Sequence, residues 1–151
     1  MSATSLVRSA AETIGKHRAN DLLLDTHIWI WSVGEPRRLA SRVVRELTNT
    51  ENQLWLSPVN IWEVRFLYRK RRIELERMDV ETWTRRALEI RPLNEATLTI
   101  DVALETPKLN LAHGDPGDHF LVATAKVFGL TLVTSDERLI ASADVPVLAN
   151  R

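Results

Sequence analysis

The stretch Asp21-Leu22-Leu23-Leu24-Asp25-Thr26-His27 constrains the fold more than any other part of this chain. Three consecutive leucines are too short for a helix of their own. An apolar run without alternation suits a strand covered on both faces, the situation in a parallel sheet flanked by helices. The run stops at Asp25, a carboxylate where the chain leaves the strand. Open α/β sheets bind their ligands just beyond the carboxyl ends of their strands. Asp25 is therefore the first candidate for a site.

The remaining periodicities predict strands and helices in alternation. Residues 1–20 form an N-terminal extension, and two readings of it stand. It carries a helix with Leu6, Ala10 and Ile14 on one face, or it is disordered. His27 to Trp31 begins a short helix with Thr26 near its N-cap, ended by Gly34-Glu35-Pro36. Leu39, Val43, Val44 and Leu47 mark a second helix. Gln53 to Ser57 reads as a strand, and Ser57-Pro58 opens a third helix through Ile61, Val64, Leu67 and Tyr68. Asp79 caps a fourth. Arg91-Pro92-Leu93 is expected as an edge strand, and Asn94-Glu95 as the start of a fifth helix carrying Leu98, Val102 and Leu104. Glu105 to Gly117 reads as loop. Phe120 to Ala125 lies in a helix rich in small residues and ended by Gly129. Leu130 to Thr134 is a strand, Leu139 and Ile140 mark a short helix, and Val145 to Leu148 is a last strand. The pattern predicts one α/β domain over 21–151, a sandwich with a mainly parallel sheet between helices.

Charge and composition narrow the function classes. Lys plus Arg and Asp plus Glu both number 20, so the formal net charge is zero. That argues against a protein held on nucleic acid mainly by bulk charge. It does not exclude a local basic patch. With no cysteine, disulfides and thiolate metal sites are excluded. No apolar run approaches the ~18 residues that span a bilayer. The N-terminus lacks the apolar core of a signal peptide. A cytoplasmic protein without a membrane partner is expected.

Four acids occupy telling places. Asp25 ends the first strand, and Asp136 follows the strand ending at Thr134. Glu63 lies within the third helix, and Asp118 opens the small-residue helix, three residues after Asp115. In a parallel sheet the strand ends and helix starts gather at one edge, where these carboxylates would meet. Taken singly, Asp115, Asp118 and Asp136 read as helix caps, and Glu63 as a solvated helix residue. Taken together they repel, because two carboxylates ~4 Å apart cost about 4 kcal/mol at an effective dielectric of 20. Arg138 is the nearest basic residue in sequence. A divalent ion relieves the repulsion, and all-oxygen ligands select Mg²⁺ or Mn²⁺ over zinc. Thr26, Thr134 and Ser135 are candidates to hydrogen-bond the carboxylates from behind.

Four segments carry a resemblance to a known family. They are Leu22 to His27, Ser57 to Val64, His113 to Ala125 and Leu132 to Asp136. In this order they resemble the motifs of PIN-domain proteins, and within them the VapC-type toxins of bacterial toxin–antitoxin pairs. The resemblance implies a PIN-like three-layer sandwich and a metal-dependent endoribonuclease acting on tRNA or ribosomal RNA. It implies Asp25, Glu63, Asp118 and Asp136 as the acidic quartet, with Asp25, Asp118 and Asp136 on the metal and Glu63 orienting water or completing the ligand set. It also implies a homodimer and a cognate antitoxin. The chain departs from the pattern at Gly117 and His119, where many relatives carry a bulky aromatic and an arginine.

Some residues keep several readings. Asp115 is an added ligand, a base or a loop brace, with the brace favoured. Arg69, Arg71 and Arg72, within a basic run that includes Arg65 and Lys70 and is joined by Arg85 and Arg86, contact RNA phosphates, meet an acidic antitoxin tail, or are a solvated helix end. His27, His113 and His119 flank acids without an assigned role. Trp29, Trp31, Trp55 and Trp62 build core or an apolar groove for a partner helix. Two rivals to the nuclease remain. In a haloacid dehalogenase-like phosphotransferase Asp25 would be the nucleophile, but that chemistry wants a second acid where His27 stands. The other rival is a catalytically silent binding module of PIN fold.

Overall fold

The computed structural model describes residues 20–111, 114–142 and 144–151. The expectations for residues 1–19 and for His113 lie outside the described residues. The described chain runs β1 (Asp21–Leu24), α1 (Thr26–Gly34), a 3₁₀ turn (Pro36–Arg38), α2 (Ser41–Thr48), β2 (Gln53–Leu56), α3 (Pro58–Arg69) and α4 (Val80–Ile90). It continues through β3 (Asn94–Glu95), α5 (Ile100–Glu105), a second 3₁₀ turn (Thr106–Lys108), α6 (Pro116–Phe128), β4 (Thr131–Thr134), α7 (Glu137–Ser142) and β5 (Val147–Ala149). The sheet order is β3-β2-β1-β4-β5. Every pairing is parallel, not merely most of them.

The three leucines lie in the central strand and divide between two cores. Leu22 and Leu24 join Ile28, Trp29, Val43, Val64 and Trp83 on one face of the sheet. Leu23 points the other way, into Leu121, Val122, Ala125, Leu132 and Leu139. Side chains alternate across a strand, so an unbroken apolar run is what a two-sided core requires. Leu22, Leu23 and Leu24 are at most 1% exposed, and each such burial is worth roughly 1.5–3 kcal/mol. Helices α1 to α4 cover one face and α6 and α7 the other, giving three layers.

Several boundaries move for identifiable reasons. Asp25, not Thr26, caps α1, because its side chain accepts the Thr26 N–H at 2.8 Å. The third strand is Asn94–Glu95 rather than Arg91 to Leu93. Trp55 and Leu56 pair with Asn94 and Glu95, and the Ala96 N–H reaches the Leu56 carbonyl at 2.8 Å. Pro92 has no N–H to offer a ladder. The fifth helix consequently starts later, at Ile100, where the Thr99 hydroxyl accepts the Val102 N–H. The segment read as loop contains the end of α5, the second 3₁₀ turn and the start of α6, which Asp115 caps through the Gly117 N–H at 3.0 Å. Gly129 ends α6 at φ 68, a left-handed conformation that glycine adopts without steric cost.

Candidate active site

Strand β1 lies between β2 and β4: the chain runs outward from β1 through β2 to β3, then crosses back to β4 and β5 on the other side. The crevice at such a reversal is where open parallel sheets bind ligands. Asp25 leaves β1 there, and Asp136 leaves β4 beside it. The backbones are tied by the Asp25 N–H to the Val133 carbonyl at 2.9 Å. Glu63 comes from the middle of α3 and Asp118 from the first turn of α6, and these two helices pack on each other. The interhelical approach is close at Gly117. A Cβ there would stand 3.3 Å from Glu63 Cδ and 3.4 Å from Glu63 Oε1.

Two threonine hydroxyls hold the carboxylates, each with its proton direction fixed by a neighbour. The Asp136 N–H donates to Thr134 Oγ1 at 3.0 Å, so Thr134 is left to donate to Asp25 Oδ2, at 2.6 Å. The buried Asn60 amide donates to Thr26 Oγ1 at 3.0 Å, and Thr26 hydrogen-bonds Glu63 in turn. Asn60 has no unused group. Its second proton goes to the Leu24 carbonyl at 3.1 Å and its oxygen accepts the Ser57 N–H at 2.8 Å. Ser57 and Asn60 thereby form a reciprocal cap on α3, locking the helix that carries Glu63 to the end of β1. Sequence reasoning passed over Asn60. The available signal was its place three residues after a Ser-Pro helix start, the position from which a side chain reaches back to the cap.

The electrostatics are unbalanced. Burial, and then the charge of Asp25, push the Glu63 carboxyl up to about 8. Burial, and then Asp115, Asp25 and Asp136, push Asp118 up to about 7. Asp25 is also raised, chiefly by burial, against the hydrogen bonds of Thr134 and Thr26 that favour its charge. Asp136 differs. Burial opposes its ionisation, but hydrogen bonds and charge from Arg138 outweigh this and hold it below the usual range. Arg138 meets Asp136 at 3.2 Å and also favours ionisation of Asp118. The basic neighbour noticed in sequence is thus a direct partner, and it compensates only part of the acidic set.

The other predicted residues fall as follows. Asp115 is exposed and caps α6, and its charge reaches both Glu63 and Asp118. Ser135 is half-buried between Thr134 and Asp136. Nδ1 of His119 stands 2.8 Å from the Asp115 carbonyl. Arg69, Arg71 and Arg72 are exposed at the end of α3 and beyond. Trp29 and Trp55 are core, while Trp62 is 56% exposed and stacks on Phe66 at 6.2 Å. Among the described residues, no three His, Asp or Glu side chains are gathered as a preformed metal cage. The donor chemistry nevertheless fits a hard divalent ion. The donors are all oxygens, they raise one another's affinity for positive charge, and Glu63 Oε1 is buried with no hydrogen-bond partner among the described residues. Asp25, Asp118 and Asp136, with Glu63, are the residues that could hold such an ion.

The PIN domain model matches residues 22–145. The chain belongs to the PIN domain family. Ribonuclease VapC22 of Mycobacterium tuberculosis (strain ATCC 25618 / H37Rv) is 30% identical to this PIN protein over 119 residues, spanning 78% of this chain and 88% of that one. Among solved structures, VapBC2 from Rickettsia felis bound to a promoter DNA fragment superposes with a TM-score of 0.66 at 12% identity. That match covers 87% of the PIN chain and 99% of the other. FitAcB from Neisseria gonorrhoeae gives a TM-score of 0.58 at 25% identity, covering 84% and 96%. Among the described residues no helix is long and apolar enough to cross a membrane.

Proposed function

We propose that this protein is a divalent-metal-dependent endoribonuclease, the cytoplasmic toxin of a toxin–antitoxin pair, which hydrolyses phosphodiester bonds in structured RNA such as tRNA or ribosomal RNA. The observation that carries the reading is the cluster of buried acids at the ends of β1 and β4. Four carboxyls converge on one sheet edge, three of them pushed up by burial, and Arg138 is too little to neutralise them. The similarity to Ribonuclease VapC22 supports the reaction class. Asp25, Asp118 and Asp136 would hold Mg²⁺ or Mn²⁺. When bound, the ion supplies compensating positive charge to the carboxylates and to the phosphodiester.

The chain's own groups then have separable tasks. Thr134 orients Asp25 and favours its charged form, and Thr26, held by Asn60, does the same for Glu63. Near 8, the Glu63 carboxyl holds its proton at neutral pH when no ion is bound; the positive charge of a divalent ion would favour its ionised form, in which Glu63 would orient the attacking water and take its proton. Arg138 fixes Asp136. The toxin–antitoxin complexes among the structural neighbours support an antitoxin partner. Ile61, Trp62 and Leu88 line an apolar groove between α3 and α4 suited to a partner helix. Ile100 and Leu104 on α5, 79% and 60% exposed, support a homodimer in which a second copy covers them.

The test is Asp25→Asn. Cleavage of cellular RNA, read by sequencing RNA ends after induced expression, is expected to disappear while circular dichroism and thermal stability persist. Full cleavage by Asp25→Asn, or by the parent protein with chelator present, refutes the reading.

A further inference from the structure

A cleft opens on the α1 side of the acidic edge, lined by His27, Trp31, Arg38, Arg71 and Arg72. It begins two residues from Asp25, and the His27 charge is felt by that carboxyl. Its lining joins two aromatic rings and three guanidinium groups. His27 and Trp31 lie one turn apart on α1 with ring centroids 5.5 Å apart. The Arg38 guanidinium sits 4.4 Å from the centre of the Trp31 ring. Glu35 and Glu74 line the cleft as well. Glu35 stands 4.0 Å from Arg38, the loose distance of an exposed pair that salt readily screens.

The backbone at Arg71 is the second observation. Helix α3 ends with the Arg71 N–H on the Tyr68 carbonyl at 3.0 Å and the Arg72 N–H on the Leu67 carbonyl at 2.9 Å. That pair of bonds defines a Schellman ending, whose turning residue must be left-handed and is ordinarily glycine or asparagine. Here it is Arg71 at φ 56. Glu76 and Arg77 are also left-handed, but they do not line the cleft. A side chain kept where its own Cβ is a steric cost points to a task for that side chain.

We propose that this cleft is the subsite for a single-stranded stretch of the RNA next to the bond that is cut. Arg71 and Arg72 take backbone phosphates, and one base lies against the surface formed by His27, Trp31 and the Arg38 guanidinium. Stacking on aromatic rings and on guanidinium planes is how unpaired bases are held. This rests on the ribonuclease reading, and it deepens it by naming unpaired RNA as what enters beside Asp25.

The experiment measures binding on an Asp25→Asn background, so that nothing is cut. The probe is a fluorescein-labelled single-stranded RNA of mixed sequence about 12 nucleotides long. A base-paired RNA of the same length serves for comparison. Arg71→Gly is expected to weaken single-strand binding by about tenfold, the loss of a charge-assisted contact. It should also lower the slope of log affinity against log salt by about 0.7, one phosphate contact on a single strand. Its melting temperature should be unchanged or higher, because glycine relieves the turn. Arg72→Ala should act in the same direction, and Arg42→Ala, on α2 away from the cleft, should have no effect. Parent-like binding by Arg71→Gly overturns the cleft. So does preference for the base-paired probe, or loss of binding to poly-glutamate with RNA binding intact, which would make the occupant an acidic protein segment. No RNA binding by either protein overturns RNA as the occupant. Failure of the nuclease reading shows separately, as cleavage that survives Asp25→Asn.

Discussion

Thr134 donates its hydroxyl proton to Asp25 Oδ2 at 2.6 Å, across 109 residues of sequence. The direction of that bond is fixed because the same hydroxyl oxygen accepts the Asp136 N–H. One threonine therefore couples the carboxylates that end two neighbouring strands. Thr134→Val keeps the shape and removes both bonds. It is expected to lower apparent metal affinity or cleavage rate by roughly 10- to 100-fold, the usual effect of losing a partner behind a ligand. Thr134→Ser should restore most of it. Cleavage rate against Mg²⁺ concentration checks this, and a Val variant with parent-like dependence contradicts it.

The raised carboxyls set the pH dependence of stability. Unfolded, Glu63 and Asp118 titrate near 4.5 and 3.8; folded, near 8 and 7. Between these limits the folded protein keeps protons that the unfolded chain has released, so stability falls as pH rises. Their contribution is complete below about pH 4 and lost by about pH 8. Asp136 has the opposite sign, since its lowered carboxyl stabilises above its unfolded value and ceases to do so in acid. Glu63→Gln should flatten the fall and raise metal-free stability at pH 8 by up to a few kcal/mol. Urea unfolding without metal at pH 5 and pH 8 measures it. A parent protein equally stable at both would be inconsistent with the burial of these groups.

Gly117→Ala separates the site from the fold. Alanine is the better helix former by about 1 kcal/mol, but its Cβ would stand 3.3 Å from Glu63 Cδ and 3.4 Å from Asp115 Oδ1. The Glu63 carboxylate has to shift by a few tenths of an ångström. The expected outcome is a melting temperature held or raised with cleavage reduced by about tenfold or more, since small misplacements at a reacting centre are costly. Unchanged cleavage would show that Glu63 tolerates the displacement.

Asn60 is a structural prediction as much as a functional one. Asn60→Ala leaves the buried Ser57 N–H and Leu24 carbonyl without their partner and frees the Thr26 hydroxyl to turn. A loss of about 3 kcal/mol in urea unfolding is expected, with cleavage falling further than stability explains. A change below about 0.5 kcal/mol would show that water replaces the amide.

The sequence by itself determined the layered α/β plan, because Leu22-Leu23-Leu24 has no polar residue to present to water on either side of a strand. It also determined that Asp25 and Asp136 stand at strand exits, since Asp25 follows the three leucines directly and Asp136 comes two residues after the strand that ends at Thr134. Local signals misled where long-range pairing outweighed them. Asn94 and Glu95 read as a helix start until Trp55 and Leu56 claimed them as a strand. The partnership of Thr134 with Asp25, the reach of Asn60 to Thr26, and the closeness of Gly117 to Glu63 were decided only by tertiary structure. Each depends on how two distant elements pack, and hydrogen bonds and desolvation act over a few ångströms of space, whatever the separation along the chain.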